Sequence, residues 1–455
     1  MLTVKEILKA TRGKLVQGNP ATVVKRVSTD SRDAQKGDLF IALIGDNFDG
    51  HDFIVQAVKK QASALVVSKK IAVPDNIPVI SVPDTARALG NIAQFYRKSF
   101  RIPVIAVTGS TGKTTAKEMI AQVLSARYKV LKNISTENNH IGVPLTILRL
   151  KKTHQIAVLE LGTNHFGEIR YLTQIAQPTV SVLTNIGESH LEFLKNLSGV
   201  FKEKFDIVRY MRPGGRVIFN NDDSYLTKIG VKKLKNRCIS FGIYKKADYR
   251  ATSIRKNSAV KFRINRDEEI ILHSSALHNV YNALSAICCG RLFKISYNDI
   301  RKVIKGFTPP KGRQVVHKRG SYAIIDDTYN SNPLSLKSAI DTLSRFHPAG
   351  RKILVCGDML ELGRESKRLH SEIGEVVARS GIDGVFSLGK DSRWLSQAAK
   401  KKNSRIDSDH FSLKGNLHRR LQQYIKPGDV ILVKGSRRLR MEETVEFLKK
   451  EMKGN

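Results

Sequence analysis

Gly109, Gly112, Lys113 and Thr114 fall together in the string AVTGSTGKTT (106–115), and residues of these types at this spacing can hold a polyphosphate. The common phosphate loop runs G-x-x-x-x-G-K-[ST], and Val107 stands where its first glycine belongs. What remains is a shortened loop, Gly109-Ser110-Thr111-Gly112-Lys113-Thr114-Thr115. The glycines admit close backbone approach and unusual dihedrals. The lysine reaches β- and γ-phosphate oxygens, and the first threonine hydroxyl can ligate Mg²⁺. A turn that merely caps a helix would need none of this ordered set.

The flanking pattern supplies the elements that position these groups. IPVIAV (102–107) is a β-branched apolar run, the signature of a buried parallel strand. Met119, Ile120, Val123 and Leu124 then recur at helical spacing. A strand, a glycine turn and a helix N-terminus aim several backbone N–H groups and the positive dipole end at one point. Two further residues fall at strand ends, where ligands collect in open α/β sheets. Glu160 follows IAVL as a Walker-B-type acid would, and His190 follows VSVLTN by a short loop. In SGVFKEKFDIVRYM (198–211), read as a helix, Val200 and Val208 lie four residues either side of Lys204. This puts Lys204 on the apolar stripe and Lys202 among polar neighbours. A lysine in that position either snorkels its ammonium to water or is chemically special.

The rest of the chain bounds the class. At 455 residues with 41% hydrophobic content, about three packed domains are expected. No apolar run approaches the roughly 18 residues of a membrane span, and the N-terminal string MLTVKEILKATRGK lacks a signal-peptide core, so a cytoplasmic enzyme is expected. Cys238, Cys288, Cys289 and Cys356 form no C-x-x-C pair, which argues against zinc and disulfides. The net charge of +37 invites a nucleic-acid reading. However, the basic residues are scattered in short groups such as 231–237 and 400–403, without an RNA- or DNA-binding pattern. A solvated basic surface that attracts acidic small molecules fits better, and no specific nucleic acid is expected.

Three α/β sections follow. Residues 1–84 form a small substrate domain with strands in 38–45, 62–68 and 77–82, and 83–100 is a linking helix. Residues 85–308 form a central phosphate-loop domain with a mostly parallel sheet, its later strands in 154–162, 179–187 and 214–223. FTPPKGR (307–313) breaks the pattern, and 309–455 alternates YAIIDD, KILVCGD, GVFSLG and DVILVKGS with helices, a Rossmann-like arrangement.

The shortened loop, Glu160, His190 and the inward lysine together resemble the Mur ligase superfamily, the ATP-dependent amide-forming enzymes of peptidoglycan synthesis. TDSR (29–32) and GDNFDGHDF (45–53) resemble its uridine-nucleotide domain. ELGTNHFGEI (160–169), HNVYNA (278–283), DDTYNSNPLS (326–335), GDMLELG (357–363) and VKGSRRLRME (433–442) resemble the branch that adds D-alanyl-D-alanine.

That resemblance implies ATP-driven phosphorylation of a UDP-N-acetylmuramoyl-tripeptide carboxylate, followed by attack of the dipeptide amine on the acyl phosphate. It implies two Mg²⁺ ions, one at Thr114 with ATP and one served by Glu160, His190 and Lys204. Lys204 matches the family's carbamylated lysine. Asn279, Asn282, Arg313 and Asp327 match nucleotide contacts; Tyr329, Asn330 and Asn332 match dipeptide-positioning residues. Asn138 and Asn139 resemble a substrate-side loop, and Ser31 and Arg32 would face the uridine diphosphate. A monomer is expected. The competing readings are a folylpolyglutamate synthase-like sister ligase and a nucleic-acid-binding ATPase, and the C-terminal strings argue against both.

Lys113→Ala should abolish turnover in a folded protein, because losing one preorganised charge contact costs on the order of 3–4 kcal/mol of transition-state stabilisation. Steady-state rates checked beside circular dichroism decide this; a near-normal rate removes the phosphate-loop assignment.

Overall fold

The computed structural model describes residues 2–135, 137–228, 234, 237–256, 259–274, 276–346 and 348–452; most of the basic group at 231–237 lies outside the described residues. The N-terminal section builds a five-stranded sheet in which Arg26–Ser28, Asp38–Ile41, Ala64–Val67 and Val79–Ser81 run parallel and Lys14–Gln17 closes one edge antiparallel. Thr85–Lys98 is the linking helix. It buries Ala88, Leu89 and Ile92 with the N-terminal core and Ala93 with the central one. Arg97, fully buried, donates to the carbonyls of Ala176, Phe100 and Ile102, so the helix end is tied to the central domain by charge-assisted bonds.

The central sheet has nine strands. Val104–Thr108 lies in its middle, paired in parallel with Ile156–Glu160 on one side and Val180–Leu183 on the other. All three strands are buried along their length, as continuous β-branched runs covered by helices on both faces require. The chain leaves Val104–Thr108, visits the edge strand Val130–Lys132 and returns to Ile156–Glu160, before Val180–Leu183 is laid down on the opposite side. The carboxyl ends of the three central strands therefore open onto one crevice at a topological switch point. Beyond Arg216–Asn220 and Cys238–Gly242 the sheet continues through Tyr249–Lys256 into an antiparallel ribbon, Val260–Ile264 and Glu268–Leu272, which the strand pattern above did not include.

The C-terminal section is a six-stranded sheet, parallel except at Val315–Arg319. Tyr322–Asp327, Lys352–Gly357, Gly384–Leu388 and Val430–Lys434 are its central strands, each within an expected apolar run.

The helix Leu197–Arg209 buries Val200, Glu203, Lys204, Ile207 and Val208, whereas Lys202 is exposed. The apolar stripe thus carries Lys204 inward as its spacing requires. Gly199 near the start of this helix admits no side chain: an added Cβ would stand 1.9 Å from the Leu194 carbonyl oxygen. Alanine is favoured over glycine inside helices by about 1 kcal/mol, but overpacking against backbone costs about 1–3 kcal/mol. Gly199→Ala should therefore lower the midpoint of thermal unfolding; a raised midpoint shows that the Leu194 turn yields freely.

Candidate active site

Gly112 caps the helix Lys113–Ser125 in the left-handed region, with φ of 79°. A Cβ there would lie 2.6 Å from Asn282 Oδ1, and one at Gly109 only 1.9 Å from Thr184 Oγ1. Both positions need glycine because the loop is held from below. Thr184 Oγ1 donates to the Thr111 carbonyl at 2.6 Å, and the Asn185 amide exchanges bonds with Thr111 N–H and Oγ1 at 2.9 and 2.8 Å. Ser110 Oγ donates to the Gly187 carbonyl at 2.9 Å. Lys113 Nζ folds back onto the Gly109 carbonyl at 2.9 Å, and burial lowers its pKa, opposed by Glu160.

This loop forms one wall of a cavity of about 550 Å³. Ser110 through Thr115, Asn138, Glu160 and His190 line it from the central domain, and Arg313, Asp327, Tyr329, Asn330 and Asn332 from the C-terminal domain. The two sides touch. Arg313 donates to Thr114 Oγ1 at 3.1 Å while its guanidinium lies 3.9 Å above the Tyr329 ring centroid. Ser338 Oγ meets His278 Nδ1 at 2.7 Å, and burial lowers the His278 pKa to about 4. Asp327 is not free: it pairs at 2.8 Å with buried Lys434, which also donates to the Asn330 carbonyl.

Glu160 ends its strand with an asymmetric carboxylate. Oε1 accepts from Asn138 Nδ2 at 2.8 Å; Oε2 is buried without a partner. Its backbone is clamped from both directions by buried Asn133, whose side chain accepts from Glu160 N–H and donates to Glu160 O. Lys117, also buried, donates to the Asn133 carbonyl at 2.8 Å.

His190 has φ of 54° and gives Nδ1 to Glu361 of the C-terminal domain. Burial lowers the His190 pKa, and the bond from His190 holds the Glu361 carboxyl below its usual range. A neutral imidazole donating from Nδ1 to an ionised carboxylate satisfies both directions, leaving the Nε2 lone pair available.

Lys204 is 1% exposed, on the buried face of its helix. Burial pushes its pKa well down, and the nearby Lys113 charge lowers it further against Glu203 and Glu160. It is not among the residues lining the cavity. Its neighbour Glu203, equally buried, accepts from the N–H groups of Gly167 and Ile169, both at 2.7 Å, and from Thr163 Oγ1. It thereby fixes the loop that follows Glu160.

Other expected residues fall elsewhere. Asn279 and Asn282 are buried and hydrogen-bonded to each other at 3.0 Å, while their neighbours His278 and Tyr281 line the cavity. Asn139 accepts from Ile141 and Gly142 N–H at the start of the helix Gly142–Leu148. Ser31 bonds Gln56, and Arg32 pairs with Asp30 on the surface; neither lines this cavity. Asn133, Glu203, Glu361 and Lys434 were not singled out from sequence, although Glu361 and Lys434 lie inside the strings GDMLELG and VKGSRRLRME.

Among the described residues no three His, Cys, Asp or Glu side chains converge as a metal-binding group. A cation at Glu160 would therefore take further ligands from substrate oxygens and water, which is the habit of Mg²⁺. The orphaned Glu160 Oε2 and the Nε2 lone pair of His190 fit such a site.

Comparison with known proteins gives matches along the chain to the Mur ligase family, catalytic domain (23–97), the Mur ligase middle domain (107–290) and the Mur ligase, glutamate ligase domain (312–437). The UDP-N-acetylmuramoyl-tripeptide--D-alanyl-D-alanine ligase of Bacillus subtilis is 36% identical over 98% of both chains. A crystal structure of MurF from Acinetobacter baumannii superposes with a TM-score of 0.89 at 32% identity, covering 99% of this chain and 98% of that one. MurF ligase from Thermotoga maritima in complex with ADP matches at a TM-score of 0.83 and 28% identity, over 95% and 98% of the two chains. With its three domains, its shortened phosphate loop and its near full-length likeness to these enzymes, the chain belongs to the Mur ligase family, among the UDP-N-acetylmuramoyl-tripeptide--D-alanyl-D-alanine ligases.

Proposed function

We propose that this chain joins D-alanyl-D-alanine to the terminal carboxylate of a UDP-N-acetylmuramoyl-tripeptide, using ATP to activate that carboxylate as an acyl phosphate. The observation that carries the reading is the cavity lined together by the phosphate loop and by Glu160, whose Oε2 is unpartnered.

Phosphoryl transfer between two anions is limited by charge repulsion, so the residues are assigned by how they relieve it. Loop amides at the N-terminus of Lys113–Ser125 bind the polyphosphate, and Lys113 turns from the Gly109 carbonyl to the γ-phosphoryl oxygens. Arg313 reaches the same oxygens from the other domain. Two Mg²⁺ ions, when bound, neutralise the phosphoryl group and the acceptor carboxylate. Thr114 would hold one of them with ATP; Glu160 Oε2 and His190 Nε2 would hold the other, oriented by Asn138 and Glu361.

Burial disfavours the Lys204 ammonium, with Glu160 among the charges acting on it, and so favours the free amine that takes up CO₂. As a carbamate it would add an anionic oxygen at the second cation position. Tyr329, Asn330 and Asn332 are assigned to orient the incoming dipeptide, whose amine attacks the acyl carbon and expels phosphate. Contact between the two domains keeps water from that intermediate. Asp327 acts through Lys434. Asn279 and Asn282 are assigned to the nucleotide, Asn282 lying against Gly112 of the loop, and Ser31, Arg32 and Asn139 are assigned to the uridine-nucleotide substrate side.

Phosphate release should require ATP, D-alanyl-D-alanine and a UDP-tripeptide together, with the diaminopimelate and lysine tripeptides assayed in parallel. Absence of dipeptide-dependent release with both tripeptides overturns the assignment. Lys204→Ala should lose most activity and regain part of it in added small carboxylate, whereas exposed Lys202→Ala should retain it. Near-normal turnover of Lys204→Ala in CO₂-depleted buffer would show that the lysine does no chemistry.

A further inference from the structure

Among the described residues, Glu361 is the one carboxylate that the C-terminal domain places on a proposed cation ligand of the central domain. It lies in the loop after the strand Lys352–Gly357, and its side chain is 26% exposed, bonded to Nδ1 of His190. The contact is more than one side-chain bond. The Glu361 carbonyl accepts from Glu192 N–H at 3.1 Å, and the α-carbon of Gly363 packs so closely on Glu192 that an added Cβ would lie 3.2 Å from Glu192 Cα. His190 and Glu361 both occupy the left-handed region, with φ of 54° and 62°. For residues with a β-carbon this conformation costs energy and persists where surrounding contacts hold it.

We propose that Glu361 is a positioning residue by which the docked C-terminal domain sets the tautomer and orientation of His190. By accepting the Nδ1 proton it leaves the Nε2 lone pair facing the cavity that Glu160 shares. An imidazole with both nitrogens free to exchange the proton presents that lone pair only part of the time, and its ring turns about χ2. A carboxylate on the far nitrogen removes both freedoms and makes the ligating nitrogen more basic. The consequence is specific to a two-domain site: the central domain alone owns His190 and Glu160, yet the histidine is aligned only when the C-terminal loop is seated. The inference rests on the proposed cation subsite, but its first readout does not need the reaction.

The test uses full-length protein with ¹⁵N-labelled histidine, free of Mg²⁺, at about pH 8, above the ordinary histidine range. The ring signals of His190 are assigned by their loss in His190→Gln. The native protein should show protonated Nδ1 and unprotonated Nε2, and Glu361→Ala should move the population towards Nε2–H. In turnover assays the Mg²⁺ concentration giving half-maximal rate should rise by about 10-fold or more in Glu361→Ala, with the KM values for ATP and dipeptide nearly unchanged. Glu361→Gln, whose Oε1 still accepts from Nδ1–H, should fall between the two and serves in place of the alanine variant should that fail to fold. An unchanged His190 tautomer in both folded variants overturns the proposal, as does a general loss of rate with an unaltered Mg²⁺ requirement. If the native protein shows the expected tautomer but no dipeptide ligation, the proposed function fails and the positioning role stands.

Discussion

Lysine ammoniums held out of water are the constraint around which the cleft is organised. Lys113, Lys204 and Lys434 are each lowered in pKa by burial, and Arg313 adds a further cation to the same region. Nearby carboxylates answer part of this charge: Asp327 is bound to Lys434, Glu203 and Glu160 act on Lys204, and Glu160 keeps one oxygen unpartnered. Desolvated cations without matching anions are costly. A polyphosphate and an acceptor carboxylate supply the missing charge, so affinity for anionic substrates and the internal imbalance are one fact. The overall charge of +37 attracts anions to the surface in general and is screened within about 8–10 Å at physiological salt.

An electrostatic site works only if its groups do not relax when charge develops, and the supports here are buried or half-buried and hydrogen-bonded. Asn133 grips the Glu160 backbone at both polar atoms and is itself held by Lys117. Glu203 is buried beside Lys204 and satisfied by two backbone N–H groups and a hydroxyl. Thr184, Asn185 and Gly187 brace the phosphate loop from the neighbouring strand end. Each of these bonds contributes only about 1 kcal/mol net. Their effect lies in direction, since they keep the unpartnered Glu160 oxygen and the loop amides aimed at one volume.

Sequence made the phosphate loop and its central strands legible because both depend on local pattern: a β-branched run, two glycines at forced positions, a helical repeat. Lys204 was legible for the same reason, as its neighbours at three and four residues fix the face it occupies. The antiparallel ribbon over 249–272 escaped because its period-two alternation carries charged residues on the open face and no long apolar run. Asn133 and Glu203 escaped for a different reason. Each acts on backbone atoms distant in sequence, and nothing in KNIS or FKEK marks which carbonyl or N–H will be opposite. Asn282 shows a mixed case: its type and place in HNVYNA suggest a ligand contact, and only the fold reveals that its amide also lies in the space that Gly112 leaves open.

Beside a hydrophobic cluster that both domains share, polar contacts cross between the two halves of the cleft. Arg313 to Thr114, Ser338 to His278, Asn332 to the Ser110 carbonyl at 3.5 Å and Glu361 to His190 span it, with Leu334 resting on Gly187. Polar contacts of this kind exchange readily with water, so the polar part of the seam resists opening less than the shared apolar cluster does. Product release needs the seam to open. Yet three of the same contacts land on groups assigned to the chemistry: a phosphate-loop threonine, the loop backbone and the histidine proposed to hold a cation. A seam built this way cannot close in a shifted register and still align its catalytic groups, so alignment of the site and docking of the domains become a single equilibrium.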